Sequence, residues 1–331
     1  MSAPDEDRAR GALYGLAIGD ALGMPTQLLS RDQITERWGP LLTGFEPAPP
    51  GHPIAAGMAA GAVTDDTEQA VLLARLLLKG PIEPRELADA LVTLERDMTA
   101  RGSRDLLGPS TRRAVEAVLA GVPPEDAGAA GDTNGAAMRV APVGVATPPD
   151  DLEALVDEVR RASHVTHNTS LALAGAAAVA AAVSAGVAGA SVPTAINVGI
   201  AAARLGARHG RWVAGADVAA RLQWAAGLMK DSEPAAAADV IYTLVGTSLA
   251  AQESVPAAFA VLSAVPDDPW RACLLAASLG GDCDTIAAMA GAIAGACHGL
   301  TAFPPHAVAT VDAHGFALTA LADSLWALRQ S

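Results

Sequence analysis

Residues Gly11 to Gly23 read G-A-L-Y-G-L-A-I-G-D-A-L-G, with glycine at 11, 15, 19 and 23. On an α-helix, positions four apart lie one above the other, so all four glycines share a face. Each costs the helix up to about 1 kcal/mol relative to alanine. Something must offset that loss, and the close approach of another helix backbone is the gain that glycine permits. Glycine stripes also join membrane helices, but Asp20 and the acidic flank argue against a lipid setting here. The stripe therefore predicts helix packed on helix. Outward from it, helical signals run along the chain, and no two alternating runs are joined by a hairpin turn. Aromatic residues make up only 3% while alanine and glycine abound, which suits close-packed helices better than a sheet. The expected fold is all-α, a compact multi-helix bundle.

At 331 residues, one large domain or two small ones are both allowed. Residues 39–63 are dense in proline and glycine and cannot form a regular element; a long loop of this kind inside a compact domain is often functional. The loop ends at a well-signalled helix, T-D-D-T-E-Q-A-V-L-L-A-R-L-L-L-K-G-P, residues 64–81. Breaks at 121–135 and 146–151 separate later helices, and none has the composition of a flexible interdomain linker. No fixed repeat period appears. A single domain over 1–331 is expected, with residues 1–8 flexible.

Hydrophobic residues (51%) far outnumber charged ones (18%), which excludes a disordered chain. A formal charge of −14 argues against broad binding to nucleic acid or anionic membranes and suits cations. Cys273, Cys283 and Cys297 have no zinc-site spacing and read as reduced thiols. The polar, acid-rich first residues lack the pattern of a secretory signal. A cytoplasmic protein is expected. Residues 171–203 carry no charge and exceed the length of a membrane span, but they are mostly small residues interrupted by Pro193 and Asn197, so buried core helices are expected.

Two helix starts carry more acid than capping requires. In G-G-D-C-D-T, residues 280–285, Asp282 and Asp284 would point to opposite sides if both lay inside a helix. Gly280 and Gly281 allow a tight turn, with the helix starting at or just after Asp284, so that both carboxylates converge. An N-cap in the helix dipole accounts for one of them. Thr64-Asp65-Asp66-Thr67-Glu68 repeats the pattern. Together these stretches offer four aspartates and several threonine oxygens, hard ligands for Mg²⁺ or Mn²⁺ rather than zinc, whose charge would balance two divalent cations. Spacing alone does not say whether the two loops meet.

These stretches occur with others in a telling order. G-x-x-x-G-x-A-x-G-D-A-L-G-M-P comes first, then T-D-D-T, N-G-A-A-M-R-V-A-P-V-G at 134–144, T-H at 166–167 and G-G-D-C-D-T. From about residue 9 to 300 the chain resembles the ADP-ribosylglycohydrolase family, which includes the dinitrogenase reductase-activating glycohydrolases. The resemblance implies an all-α orthogonal bundle with a binuclear Mg²⁺ or Mn²⁺ site and hydrolysis of the ribose C1″ linkage in ADP-ribosylated proteins or related conjugates. It implies Thr64, Asp65, Asp66, Asp282, Asp284 and Thr285 as metal ligands. Gly131, Asp132, Thr133, Asn134, Gly135 and Met138 match the stretch that contacts ADP-ribose, and backbone amides of a glycine-rich turn can approach a diphosphate. His167 is implied as a further substrate contact, although a lone histidine at a helix start also suits packing. Arg139 could pair with phosphate or with a structural carboxylate; the structural role is favoured. Asp20 is expected to orient its neighbours.

One position departs from the pattern. Many members of the family carry glutamate where this chain has Gln27, and that glutamate serves at the metal site or as acid/base. Glutamine can orient water or metal but cannot act as a general base. The base is then expected to be a ligand aspartate, Asp66 or Asp282, or a metal-activated water. Gln27 leaves the cleaved linkage open, so the alternatives are a hydrolase of a small free nucleoside or ribosyl metabolite and a non-catalytic ADP-ribose-binding protein. A monomer is expected.

Overall fold

The computed structural model describes residues 4–102, 107–229 and 232–331. Helices follow one another along the chain, and no strand forms among the described residues; the β-type pairings are two isolated bridges, Thr133 with Ala250 and Thr169 with Arg211. The all-α expectation is met. Four helices position the site: α1 (Pro4–Gly23), α2 (Asp65–Leu77), α3 (Ser170–Val187) and α4 (Cys283–His298).

The glycine stripe of α1 lies on α4. A Cβ added at Gly11 would stand 2.3 Å from the Gly295 carbonyl oxygen, one at Gly15 2.1 Å from that of Gly291, and one at Gly19 2.0 Å from that of Ala287. Gly291 and Gly295 return the contact, with added Cβ atoms 2.1 and 2.0 Å from the Gly15 and Gly11 oxygens. The two backbones thus touch directly, and alanine on either side would force them apart. At the end of the stripe, a Cβ on Gly23 would stand 2.3 Å from the Asp284 Cα. The packing that builds the core therefore also fixes where Asp284 stands.

Every residue of α3 is buried, and its mean hydropathy of 1.9 serves the core: the one described helix long and apolar enough to cross a membrane is wrapped on all sides by protein. Val192–Gly206, which follows it, is half buried and half surface. Residues 39–63 form turns without a helix, as expected.

Two boundaries differ from expectation. Residues 4–8 are the opening turns of α1 rather than a flexible tail. Asp5, Glu6 and Asp7 complement the helix dipole there, Thr301 donates to Asp7, and Arg8 donates to the Gly186 carbonyl at 3.0 Å. Helix α4 begins at Cys283 with Asp282 as its cap, one residue ahead of the expected start.

Candidate metal and substrate site

Helix α2 begins behind Thr64, whose hydroxyl accepts from the Asp66 amide at 3.3 Å. Buried Asp20, one turn from the end of α1, accepts from the Thr64 amide at 3.0 Å, the Thr67 amide at 3.1 Å and the Thr67 hydroxyl. Its carboxylate thus ties the first turn of α2 to α1. Gln69 donates to Asp65 at 2.5 Å from the next turn.

Helix α4 begins differently. Gly280 and Gly281 are left-handed, at φ +94° and +74°, and their missing side chains leave room for the Arg31 amide and the Thr247 carbonyl. The turn is pinned on two sides. Leu28 N–H donates to the Gly281 carbonyl (2.7 Å), Gly281 N–H to that of Leu29 (2.8 Å) and Asp282 N–H to that of Thr247 (2.8 Å). Because Asp282 is the cap and Asp284 lies in the first turn, both side chains reach one pocket. Cys283 between them turns away to pack with Ile34 and Leu42, and burial pushes its thiol up to about 12.

The pocket, about 220 Å³, brings both starts together: Asp65, Asp66, Asp282, Asp284 and Thr285 line it with Gln27. Thr133, Asn134, Gly135 and Met138 form another wall, and Leu28, Ile54, Leu107, Leu249 and Arg112 stand around them. Asn134 couples this wall to the acids, donating from its amide to Asp282 and to Ser254. Gln27 is buried, and its main chain is held by the Gly23 carbonyl and by His52. The Ile54 and Ala55 amides both donate to His52 Nδ1, so Nε2 carries the proton that goes to the Gln27 carbonyl at 2.7 Å.

Several expected site residues stand outside the lining. Thr64 acts as a helix cap. Asp132 is exposed to solvent and is not one of the lining residues. Gly131 faces protein, since a Cβ there would stand 2.0 Å from the Thr166 carbonyl oxygen. The missing side chains of this loop's glycines admit residues 164–167, a Cβ on Gly135 meeting the His167 ring at 2.8 Å, while Gly135 itself lines the pocket. His167 is fully buried behind Thr133, so direct substrate contact is corrected to a supporting position. Burial, then the charges of Arg139 and Arg113, hold its ring well below the ordinary histidine range. Arg139 is buried on Gln69 and Thr166, away from the pocket, in keeping with the structural role.

Two contributors carry no local signal in the sequence. Residues 246–250 follow a π-helical turn, Ile241–Val245, and wedge between the two halves of the site. The Leu249 carbonyl accepts from Asn134 N–H at 3.0 Å, while Thr247 holds Asp282. Leu28, at φ +60° and 47% exposed, is a non-glycine residue in left-handed backbone at the pocket edge; strained residues of this kind concentrate at functional sites.

Do these residues suit cations? Burial, then the charges of Asp284, Asp65, Asp20 and Asp282, push the Asp66 carboxyl well above its usual range, and Asp66 Oδ2 is buried without a hydrogen-bond partner among the described residues. Like charges buried together must either take up protons or be neutralised by cations. Among the described residues no three histidine, cysteine, aspartate or glutamate side chains stand as a ready-made cage. The donor set is nevertheless all oxygen and rich in carboxylate, which fits hard divalent ions.

Comparison with known proteins bears on the chemistry. The sequence profile of the ADP-ribosylglycohydrolase family matches residues 1–331. The chain belongs to the ADP-ribosylglycohydrolase family. Among its relatives, the uncharacterized protein YegU of Escherichia coli is 36% identical over 310 residues, 93% of this chain and 92% of that one. ADP-ribosylhydrolase ARH3 of Bos taurus is 28% identical over 90% of this chain and 86% of its own. The ADP-ribosyl-[dinitrogen reductase] glycohydrolase of Rhodospirillum rubrum is 33% identical over about half of each chain, 52% and 55%. A solved structure described as an ADP-ribosylglycohydrolase-related protein complex superposes with a TM-score of 0.71 at 26% identity, covering 98% of this chain and 99% of that one. Family membership carries with it the reaction class of an ADP-ribosylglycohydrolase-type hydrolase.

Proposed function

We propose that this chain, as a single cytoplasmic domain and a monomer, hydrolyses the ribose C1″ glycosidic bond of ADP-ribosylated side chains or related ADP-ribosyl conjugates. The observation that carries the reading is the meeting of Asp65, Asp66, Asp282 and Asp284, from two distant helix starts, in one pocket with the Thr133–Met138 wall. These four aspartates and Thr285 would hold two divalent cations, Mg²⁺ or Mn²⁺; Thr64 would contribute by capping α2. When bound, the cations would orient the ribose hydroxyls and lower the pKa of water.

The protein groups do the rest. Asn134 fixes the Asp282 carboxylate, so Asp282 is placed to take a proton from the attacking water, with Asp66 beside it. Negative charge on this wall stabilises the oxocarbenium-like sugar as its C1″ bond loosens. Gln27, on the pocket lining with its main chain held by His52, would orient water without exchanging a proton. Leu28, Ile54 and Leu249 narrow the mouth and limit water to what the reaction consumes.

The small cavity favours a second reading. A space of about 220 Å³ is below the usual size of a drug-sized ligand pocket, so a free nucleoside or other small ribosyl metabolite would fill it, whereas ADP-ribose would extend past Leu28 and Leu249. Incubation with ADP-ribosyl-arginine, ADP-ribosyl-serine and simple nucleosides, with Mg²⁺ or Mn²⁺, separates the two. Release of ADP-ribose from either conjugate is expected; turnover of nucleosides alone would replace the first reading by the second.

A further inference from the structure

Behind the pocket runs an unbroken line of buried polar side chains that ends on the substrate wall. Arg139 Nη1 donates to Gln69 Oε1 at 2.7 Å, and Gln69 Nε2 donates to Asp65. In the other direction Arg139 Nη2 donates to Thr166 Oγ1 at 2.6 Å. Thr166 Oγ1 lies 2.7 Å from His167 Nδ1, and His167 Nε2 lies 3.0 Å from Thr133 Oγ1, which faces the pocket.

The direction of each bond follows from the chemistry of its members. A guanidinium only donates, and although burial pulls that of Arg139 down to about 10, it keeps its charge at neutral pH. Thr166 therefore accepts from Arg139 and has one proton to place. Its choices are His167 Nδ1 at 2.7 Å and the Ser163 carbonyl at 3.4 Å. The second is too long for a good O–H···O bond, and that carbonyl already accepts the Thr166 and His167 amides at 3.1 and 2.9 Å. The proton goes to His167. Nδ1 is then an acceptor, Nε2 carries the ring proton, and Nε2–H donates to Thr133. The Thr133 hydroxyl, accepting from His167, has its own proton left to donate into the pocket.

We propose that Arg139 is a positioning residue which, through Thr166 and His167, locks the Thr133 hydroxyl as a hydrogen-bond donor toward the pocket, so that the site selects a ligand presenting an oxygen acceptor, such as a phosphate oxygen, at that point. His167 takes part as a fixed tautomer and exchanges no proton during turnover. The same guanidinium aims Gln69 at Asp65, so one buried cation sets both the substrate wall and one of the acids. The identity of the ligand rests on the ADP-ribosyl reading above; the direction of the relay does not.

The relay is read in the ligand-free full chain by ¹H–¹⁵N correlation of labelled histidines at pH 7.5, with His167 assigned by its loss in His167→Gln. A neutral ring protonated on Nε2 is expected; an Nδ1–H tautomer or a doubly protonated ring would overturn the proposal. Calorimetric titration with ADP-ribose then tests the donor. Thr133→Val, which removes the hydroxyl at nearly constant shape, should weaken binding about tenfold or more, and Thr133→Ser should restore it to within about threefold of the natural protein. Equal affinity of the valine variant would refute the donor role. If the natural protein binds no ADP-ribose, the ADP-ribosyl reading fails, and the tautomer of His167 alone decides the relay.

Discussion

At the start of α2, two aspartates follow a threonine that caps the helix; at the start of α4, two aspartates flank a cysteine and follow a pair of left-handed glycines. The first start is capped from within by Thr64, which satisfies an amide two residues away, and is tied to α1 through one side chain, the Asp20 carboxylate. The second is held by distant chain: Leu28 and Leu29 on one side, Thr247 on the other, and Gly23 of α1 against the Asp284 backbone. Both deliver a pair of carboxylates to one pocket, but the α4 start should be much less tolerant of change. A helix start held by its own cap and one side-chain carboxylate can shift slightly and keep its ligands. One seated by backbone contacts on three sides cannot.

Substitution at the two starts should show the contrast. The largest effect is expected for Gly281→Ala, which places a side chain at φ +74° with its Cβ 2.4 Å from the Thr247 carbonyl oxygen. Backbone strain and the clash together should cost about 3 kcal/mol and displace Asp282, seen as a fall in denaturant midpoint and loss of turnover. Thr64→Ala removes the hydroxyl cap at the other start and should cost about 1 kcal/mol in the same assay. Comparable losses in the two variants would refute the contrast.

A smaller effect, dependent on pH, probes the support behind the wall. His167 is held neutral in the folded chain, whereas in the unfolded chain it titrates near the ordinary value of about 6.5. The unfolded state therefore binds more protons below that pH, and stability falls as the pH drops from there toward the depressed folded value, by at most about 1.4 kcal/mol per pH unit. Above it the term vanishes. His167→Gln should flatten this part of the stability profile, measured by urea denaturation between pH 5 and 8; an unchanged slope would show that His167 is not the group responsible.

Much of this could be read before any coordinates. Four glycines at a spacing of four implied a touching helix, and the two acid-rich helix starts stood out because capping needs only one carboxylate. That α4 is the partner of the stripe was not legible: Gly291 and Gly295 have the matching spacing, but a backbone contact leaves no complementary side chain to pair with its mate. The packing role of the loop glycines was not legible for a related reason. Gly131 and Gly135 admit the 164–167 turn, and a sequence does not say on which side the missing Cβ makes room. Leu249 and Thr247 leave no sequence signal because they act through carbonyl groups, which every residue possesses. Gln27, the position at which the sequence departs from the resemblance, lies on the pocket lining.

The central claim is that the two acidic helix starts form one hydrolytic site. The most direct test is ADP-ribose release from ADP-ribosyl-arginine and ADP-ribosyl-serine by the natural chain and by Asp282→Asn, each with saturating Mg²⁺ or Mn²⁺. Asparagine keeps the size of the side chain and removes its charge, so the variant should stay folded and lose at least about a thousandfold in turnover. Full activity in Asp282→Asn would contradict the account.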